Sequence, residues 1–309
     1  MREFTVGTRG SKLALIQTKK IIESLKKAGV SHSVKVKEIE TEGDKTVHVP
    51  LSKLGGGVFL QEIEAELIDG SIDFAVHSLK DIPVELPPGL MIASIPERED
   101  FRDALLANHH MKLHDLPQGA VVGTSSLRRA AQVLSQRPDL EIKWIRGPID
   151  SRIRQLQDGD FDAIILAVAG MKRLDLDVDL ITEYLPVETF MPAIGQGALA
   201  IECRTDDQEL RDILRLINNK ESEQTVLTER LFMQQFENGE KAAIAGYATM
   251  ENEEIVLHAT VLSPDGKTVI KHEGRGTRPE DVAKYVADQL KEQGALEIIQ
   301  LTLQESDSQ

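Results

Sequence analysis

The chain uses one local phrase twice, and this constrains its fold more than any other feature. An apolar strand from Phe4 to Val6 runs into Gly7-Thr8-Arg9-Gly10-Ser11, then into a helical pattern with Leu15, Thr18, Ile22 and Leu25 on one face. More than a hundred residues later, Ala120-Val121-Val122 runs into Gly123-Thr124-Ser125-Ser126-Leu127-Arg128-Arg129, and a helical pattern follows through Val133 and Leu134. A second pair of segments echoes the first. Gly70-Ser71-Ile72-Asp73-Phe74-Ala75-Val76 and Gly159-Asp160-Phe161-Asp162-Ala163-Ile164-Ile165 each stop a helix at glycine and begin a short buried strand. Strands alternating with helical patterns predict mostly parallel sheets covered by helices on both faces. The expected fold class is α/β, with two similar lobes facing each other across a cleft.

A charged stretch, Pro96-Glu97-Arg98-Glu99-Asp100, separates two apolar segments, and the chain is expected to return between Pro186 and Pro192, so two crossings form a hinge. Residues 1–98 with 194–218 then make the first lobe and 99–193 the second. Residues 219–309 read differently: a helix from Ser222 to Phe236, alternating strands joined by the turn Ser263-Pro264-Asp265-Gly266, and a helix from Pro279 to Leu290. This is a small α+β third domain, with the polar tail Gln304 to Gln309 expected to fray.

Lys plus Arg number 36 against 51 Asp plus Glu, a net charge of −15 that repels nucleic acid and anionic membranes. An anionic ligand must therefore be met by a local concentration of cations. No run approaches the ~20 apolar residues that span a bilayer, and no leader pattern opens the chain, so a cytoplasmic location is expected. One cysteine, Cys203, excludes a disulfide framework; its apolar surroundings predict a buried strand residue. His109, His110 and His114 lack a metal-ligand pattern and read as a solvated loop; no metal is expected.

Both Gly-Thr turns fall where a strand meets a helix N-terminus, which favours anions. Arg9, Arg128 and Arg129 lie in or just after them; the alternative is that Ser11 and Ser125 only cap helices beside solvated arginines. Trp144 lies in an alternating strand, Ile142 to Ile145, that delivers Arg146 to its C-terminal end; Arg152 follows, and Arg173 comes after the strand Ile164 to Val168, with Gly170 allowing a close turn. The strand Phe74 to Val76 ends in His77-Ser78-Leu79-Lys80-Asp81. Asp81 is either a salt-bridge partner of Lys80 or, facing the cleft, a carboxylate suited to a protonated nitrogen or to proton transfer.

Four of these runs carry a family resemblance: Ala75-Val76-His77-Ser78-Leu79-Lys80-Asp81, Gly123 to Arg129, Asp162 to Arg173, and Pro192-Ala193-Ile194-Gly195-Gln196-Gly197-Ala198, with Ile201-Glu202-Cys203-Arg204 and Ile244-Ala245-Gly246-Tyr247 in the same order. Together they resemble the porphobilinogen deaminases (hydroxymethylbilane synthases) over nearly the whole chain. The resemblance implies two lobes like those of periplasmic binding proteins, a third domain that carries a dipyrromethane cofactor, and the head-to-tail joining of four porphobilinogen molecules with ammonia release, on the way to haem. It implies a monomer, with porphobilinogen or another polycarboxylate pyrrole as ligand; the net charge adds the expectation of no nucleic-acid or membrane partner. By the same resemblance Asp81 is catalytic, while Arg9, Ser11, Lys80, Thr124, Ser125, Ser126, Arg128, Arg129, Arg146, Arg152, Arg173 and Gln196 hold carboxylates of cofactor, substrate or growing chain.

The sequence also departs from the family. Asn238-Gly239-Glu240-Lys241-Ala242-Ala243-Ile244 stands where the family reads roughly Gly-Gly-Cys-Gln-Val-Pro-Ile, so Glu240 occupies the place of the cysteine that forms the thioether to dipyrromethane. A carboxylate cannot replace the soft thiolate nucleophile, and covalent attachment is not expected. Gly55-Gly56-Gly57-Val58-Phe59 is a shortened loop without the family's lysine, Gln61 stands for a second lysine, and Pro148 replaces an asparagine. These departures open an alternative: a non-catalytic, two-lobed protein that binds porphobilinogen or another polycarboxylate.

Overall fold

The computed structural model describes residues 2–45 and 59–307. The repeated phrase folds the same way twice. In the first lobe, β1 (Phe4–Arg9) is flanked by β2 (Val34–Ile39) and β3 (Phe74–Ser78), both parallel to it, and the sheet continues through two antiparallel pairings in the order β2-β1-β3-β10-β4, where β4 is Leu90–Ser94 and β10 is Leu199–Arg204. In the second lobe, β6 (Val121–Gly123) is flanked by parallel β7 (Glu141–Lys143) and β8 (Ala163–Ala167), and the order is β7-β6-β8-β5-β9, with β5 (Asp103–Ala107) and β9 (Glu183–Tyr184) antiparallel. The two orders superimpose strand for strand. The antiparallel strand beside β3 is the one by which the chain comes back; the one beside β8 is the one by which it enters.

The second echo locks into the first by identical contacts. Asp73 Oδ2 accepts from Thr5 N at 2.7 Å, and Asp162 Oδ2 accepts from Val121 N at 2.7 Å. The residues just before these aspartates, Ile72 and Phe161, press on the phrase glycines. A Cβ on Gly7 would lie 2.3 Å from Ile72 Cδ1, and one on Gly123 would lie 2.8 Å from Phe161 Cδ1. Each glycine is thus required by close packing inside a strand.

Helices cover both faces: α1 (Lys12–Lys27) and α2 (Gln61–Asp69) in the first lobe, and α3 (Leu127–Gln136), α4 (Ile149–Gln157) and α5 (Val168–Arg173) in the second. Ser11 caps α1, its side chain accepting from Ala14 N, and the chain leaves that helix through Gly29 at φ +91°. The α3 cap is Ser126, whose side chain accepts from Arg129 N, one residue beyond the expected Ser125; Thr124 Oγ1 accepts from Ser126 N and shifts the helix start. β7 stops at Lys143 and leaves Trp144 exposed outside the strand. Gly170 sits inside α5, where a Cβ would come within 2.9 Å of Ile149 Cδ1, so it permits close packing and not a turn.

After α6 (Gln208–Arg215) the third domain packs α7 (Lys220–Met233), α8 (Pro279–Glu292) and α9 (Ala295–Asp307) on an antiparallel sheet of β11 (Ala243–Glu251), β12 (Glu254–Leu262) and β13 (Val269–Gly276). The tail is helical to Asp307 and does not fray at Gln304, because Ala295, Ile298 and Ile299 bury against the third-domain core. The hairpin turn docks on the second lobe. A Cβ on Gly266 would strike Ser135 N at 2.4 Å and Ala131 O at 2.5 Å. Among the described residues no helix is long and apolar enough to cross a membrane, and no group of three or more His, Cys, Asp or Glu could hold a metal ion.

Candidate active site

Strands β1 and β3 of the first lobe and β6 and β8 of the second point their C-terminal ends at the cleft between the lobes, as parallel sheets place ligands. β3 ends in a single 3₁₀ turn, Leu79–Asp81, that carries Lys80 and Asp81, both exposed. Burial in the surrounding protein mass pushes the Lys80 ammonium down to about 8, with Arg129 and Arg128 adding to the effect and Asp81 and Asp103 opposing it. The side chain thus reaches solvent while most of its surroundings are protein.

The arginines form a chain of electrostatic neighbours. Burial and then Arg9 lower Arg146; burial, then Arg129 and Arg146, push Arg152 down to about 10. Arg9 from the first lobe and Arg146 from the second approach the ring of Phe59, at 4.0 and 6.0 Å. Arg152 donates from Nε to Gly147 O at 2.7 Å and is half-buried. Cations that depress one another in this way, inside an acidic protein, form a site for anions.

Arg128 and Arg129 are also brought here, but both are buried and committed to one carboxylate. Arg128 Nη1 donates to Asp103 Oδ2 at 2.8 Å and to Met191 O at 2.6 Å. Arg129 donates from Nε and Nη2 to Asp103 Oδ1 at 3.2 and 2.7 Å, and from Nη1 to Ile165 O at 2.9 Å. Burial alone would raise the Asp103 carboxyl; the two guanidiniums hold it well below the usual range. Two arginines in the first turn of α3 oppose its helix dipole, and Asp103 offsets that.

Two of the expected carboxylate holders serve the hinge. The chain crosses out at 95–102 and back at 192–198, later than Pro186, since Leu185 and Phe190 still belong to the second-lobe core. Gln196 is 1% exposed and donates to Phe101 O and Asp103 Oδ1. Arg173, buried at the end of α5, donates to Gly197 O at 2.6 Å, and burial pushes it down to about 10. Thr124 is buried in its local turn; Ser11, Ser125 and Ser126 are half-buried at the two helix starts. Sequence reasoning missed Asp103, whose signal was an acid opening the apolar run Ala104 to Ala107, and Phe59 as a partner of arginine. The glycine loop 55–58 lies outside the described residues. Pro148 precedes α4 and Gln61 opens α2.

Glu240 is exposed in a short 3₁₀ turn, Gly239–Lys241. Cys203 is buried in β10, and burial pushes its thiol up to about 11. In register Cys203 faces Phe74 while Leu199 faces Ser78, so the thiol lies four residues, about 13 Å, from the cleft end of the sheet.

The profile described as "Porphobilinogen deaminase, dipyromethane cofactor binding domain" matches residues 4–212, and that described as "Porphobilinogen deaminase, C-terminal domain" matches residues 223–292. The porphobilinogen deaminase of Oceanobacillus iheyensis is 54% identical over 308 residues, covering 99% of this chain and 100% of that one; the one from Geobacillus sp. WCH70 is 51% identical over 311 residues, covering 100% of both. Among solved structures, a lipoprotein of the YaeC family from Enterococcus faecalis aligns over 72% of this chain and 93% of its own, at 15% identity and a TM-score of 0.43, too distant to bear on chemistry. The chain belongs to the porphobilinogen deaminase family.

Proposed function

We propose that this protein takes porphobilinogen into the cleft and joins it head to tail with release of ammonia, holding the growing polypyrrole by ion pairs alone. The observation that supports this reading is a linked series of cations from both lobes: Arg9 and Arg146 meet at Phe59, Arg146 and Arg129 act on Arg152, and Arg129 acts in turn on Lys80, the neighbour of Asp81. Each pyrrole brings an acetate and a propionate, which bidentate guanidiniums match. Asp81 accepts from the pyrrole N–H and stabilises the positive charge that develops there as the aminomethyl C–N bond breaks. The amine of the aminomethyl group, an ammonium at neutral pH, leaves as ammonia with the C–N electron pair; the methylene carbon becomes electrophilic, and the free α-carbon of the next pyrrole attacks it and releases its proton to water. Below about pH 8 Lys80 is an ammonium that can hold a carboxylate; above it the neutral amine can take a proton.

Dipyrromethane is the family's cofactor, and its thioether needs a thiolate. The residues present do not fit that bond. By family resemblance the attachment position is Glu240, a carboxylate, and Cys203 is a buried thiol pushed up to about 11. No step here is carried through a covalent primer.

Incubation of the folded protein with porphobilinogen tests the reading. Ammonia release, with a product that cyclises to uroporphyrin and is lost in Asp81→Asn, supports it. No ammonia above background overturns it, and saturable binding without turnover would make the protein a two-lobed binding protein.

A further inference from the structure

The turn that carries Lys80 and Asp81 is followed by no regular element in sequence: beyond Asp81 the chain is irregular as far as Leu90. Its next three carbonyls nevertheless converge on one side chain of the third domain. Arg230 of α7 donates from Nη1 to Ile82 O at 3.2 Å and from Nη2 to Pro83 O at 2.7 Å and Val84 O at 2.9 Å. One helical turn earlier, Val226 is fully buried against Leu79 and Ile82, the residues that bracket Lys80 and Asp81. A guanidinium fork is the side chain that can satisfy several carbonyls of a non-repetitive segment at once.

The residue beside Arg230 grips the hinge. Glu229 is fully buried. Its Oε1 accepts from Arg98 Nη1 at 2.6 Å and Ala248 N at 2.8 Å, and its Oε2 from Arg98 Nη2 at 3.1 Å and Gly195 N at 2.7 Å. Arg98 lies on the outgoing crossing and Gly195 on the returning one. Under the turn, a bulge between Ile201 and Glu202 marks β10, and Glu202 Oε2 lies 3.1 Å from His77 Nε2. The buried Glu202 acts electrostatically on Arg230 from below, and Glu64 of α2 completes this polar cluster.

We propose that Arg230 is a positioning residue for the Lys80–Asp81 turn, and that α7, through Glu229 and Arg230, is a strut by which the third domain fixes the hinge and that turn together. Its consequence for turnover rests on the function proposed above; its consequence for the turn does not. The third domain therefore shapes the cleft chemistry without lending a group to it.

Competitive acetylation of the full-length protein, followed by mass spectrometry of the peptide containing Lys80 across pH, reads the turn directly. The parent should show a midpoint near 8. In Arg230→Gln the turn loosens, the surroundings that desolvate Lys80 relax, and the midpoint rises toward the ordinary lysine value of about 10.4. Arg230→Lys keeps the charge but cannot fork to three carbonyls, so it rescues only in part. Val226→Ala shifts the midpoint in the same direction and less, and carries the test if Arg230→Gln does not fold. Arg215→Gln, which breaks the exposed pair with Glu223 near the start of the same helix, leaves the midpoint unchanged. Ammonia release should fall in kcat by on the order of ten- to a hundredfold with KM retained. If the parent releases no ammonia, the function reading fails and the labelling arm still decides this one. A folded Arg230→Gln, or a Val226→Ala standing in for it, with an unmoved Lys80 midpoint would overturn the proposal.

Discussion

The two lobes start from one phrase and use its arginines in opposite ways. In the first lobe the arginine belongs to the strand end: Arg9 lies over Phe59 at the cleft, one residue before the Gly10-Ser11 entry to α1. In the second lobe the arginines fall two and three residues after the cap, inside α3, and both are drawn into the core around Asp103. The lobes also differ after the third parallel strand. β3 runs into the turn with Lys80 and Asp81, whereas β8 runs into α5, whose Arg173 reaches back to the hinge at Gly197. One topology thus yields a lobe whose turn exposes Lys80 and Asp81 and a lobe whose arginines are tied to a buried acid. What decides between these roles is the few residues beyond each strand end, where the sheet no longer dictates position.

The largest expected effect comes from removing the acid that makes the second lobe different. Asp103→Ala leaves Arg128 and Arg129 buried without a counter-charge and should cost about 3–5 kcal/mol, read as a lowered urea midpoint. Next, Arg152→Gln removes one charge-assisted contact from the cleft. It should weaken binding of a polycarboxylate pyrrole by about 1.5–3 kcal/mol in calorimetry while moving the urea midpoint little; Arg129→Gln, tied to Asp103, should show the reverse order of effects. A loss of affinity in Arg129→Gln at full stability would erase the distinction drawn between the lobes. Smaller still, Gly7→Ala and Gly123→Ala should each destabilise by about 1–3 kcal/mol, with Gly7→Ala the worse because its Cβ meets Ile72 more closely than that of Gly123 meets Phe161. The smallest is a pH effect. Lys80 holds a carboxylate only as the ammonium, so affinity is complete below about pH 8 and declines as pH rises through it. The decline should be about tenfold at most and absent in Lys80→Met.

Much of this was legible in the chain. The doubled Gly-Thr phrase and its echo are local patterns, and Asp73 and Asp162 make the same bond because each stands at the same place in the repeat. The clustering of Arg9, Arg146 and Arg152 was legible too, since strand ends on one side of parallel sheets share a mouth. The partners of Arg128 and Arg129 were not. Asp103 approaches them on a strand that belongs to the second lobe only because the chain crosses the hinge, and no local period encodes that meeting. Gln196 and Arg173 stand at cleft-like positions in sequence yet turn into the hinge for the same reason. The last helix carried a signal that its polar end obscured: Ala295, Ile298, Ile299 and Thr302 follow helical spacing and are buried.

The claim that the cleft works by charge, without a tether, is tested most directly by the intact mass of the protein after incubation with porphobilinogen and denaturation in acid. The account expects the mass of the bare chain, with all pyrrole material recovered in the small-molecule fraction. A pyrrole adduct that stays on the denatured chain, at Glu240, Cys203 or any other residue, would contradict it.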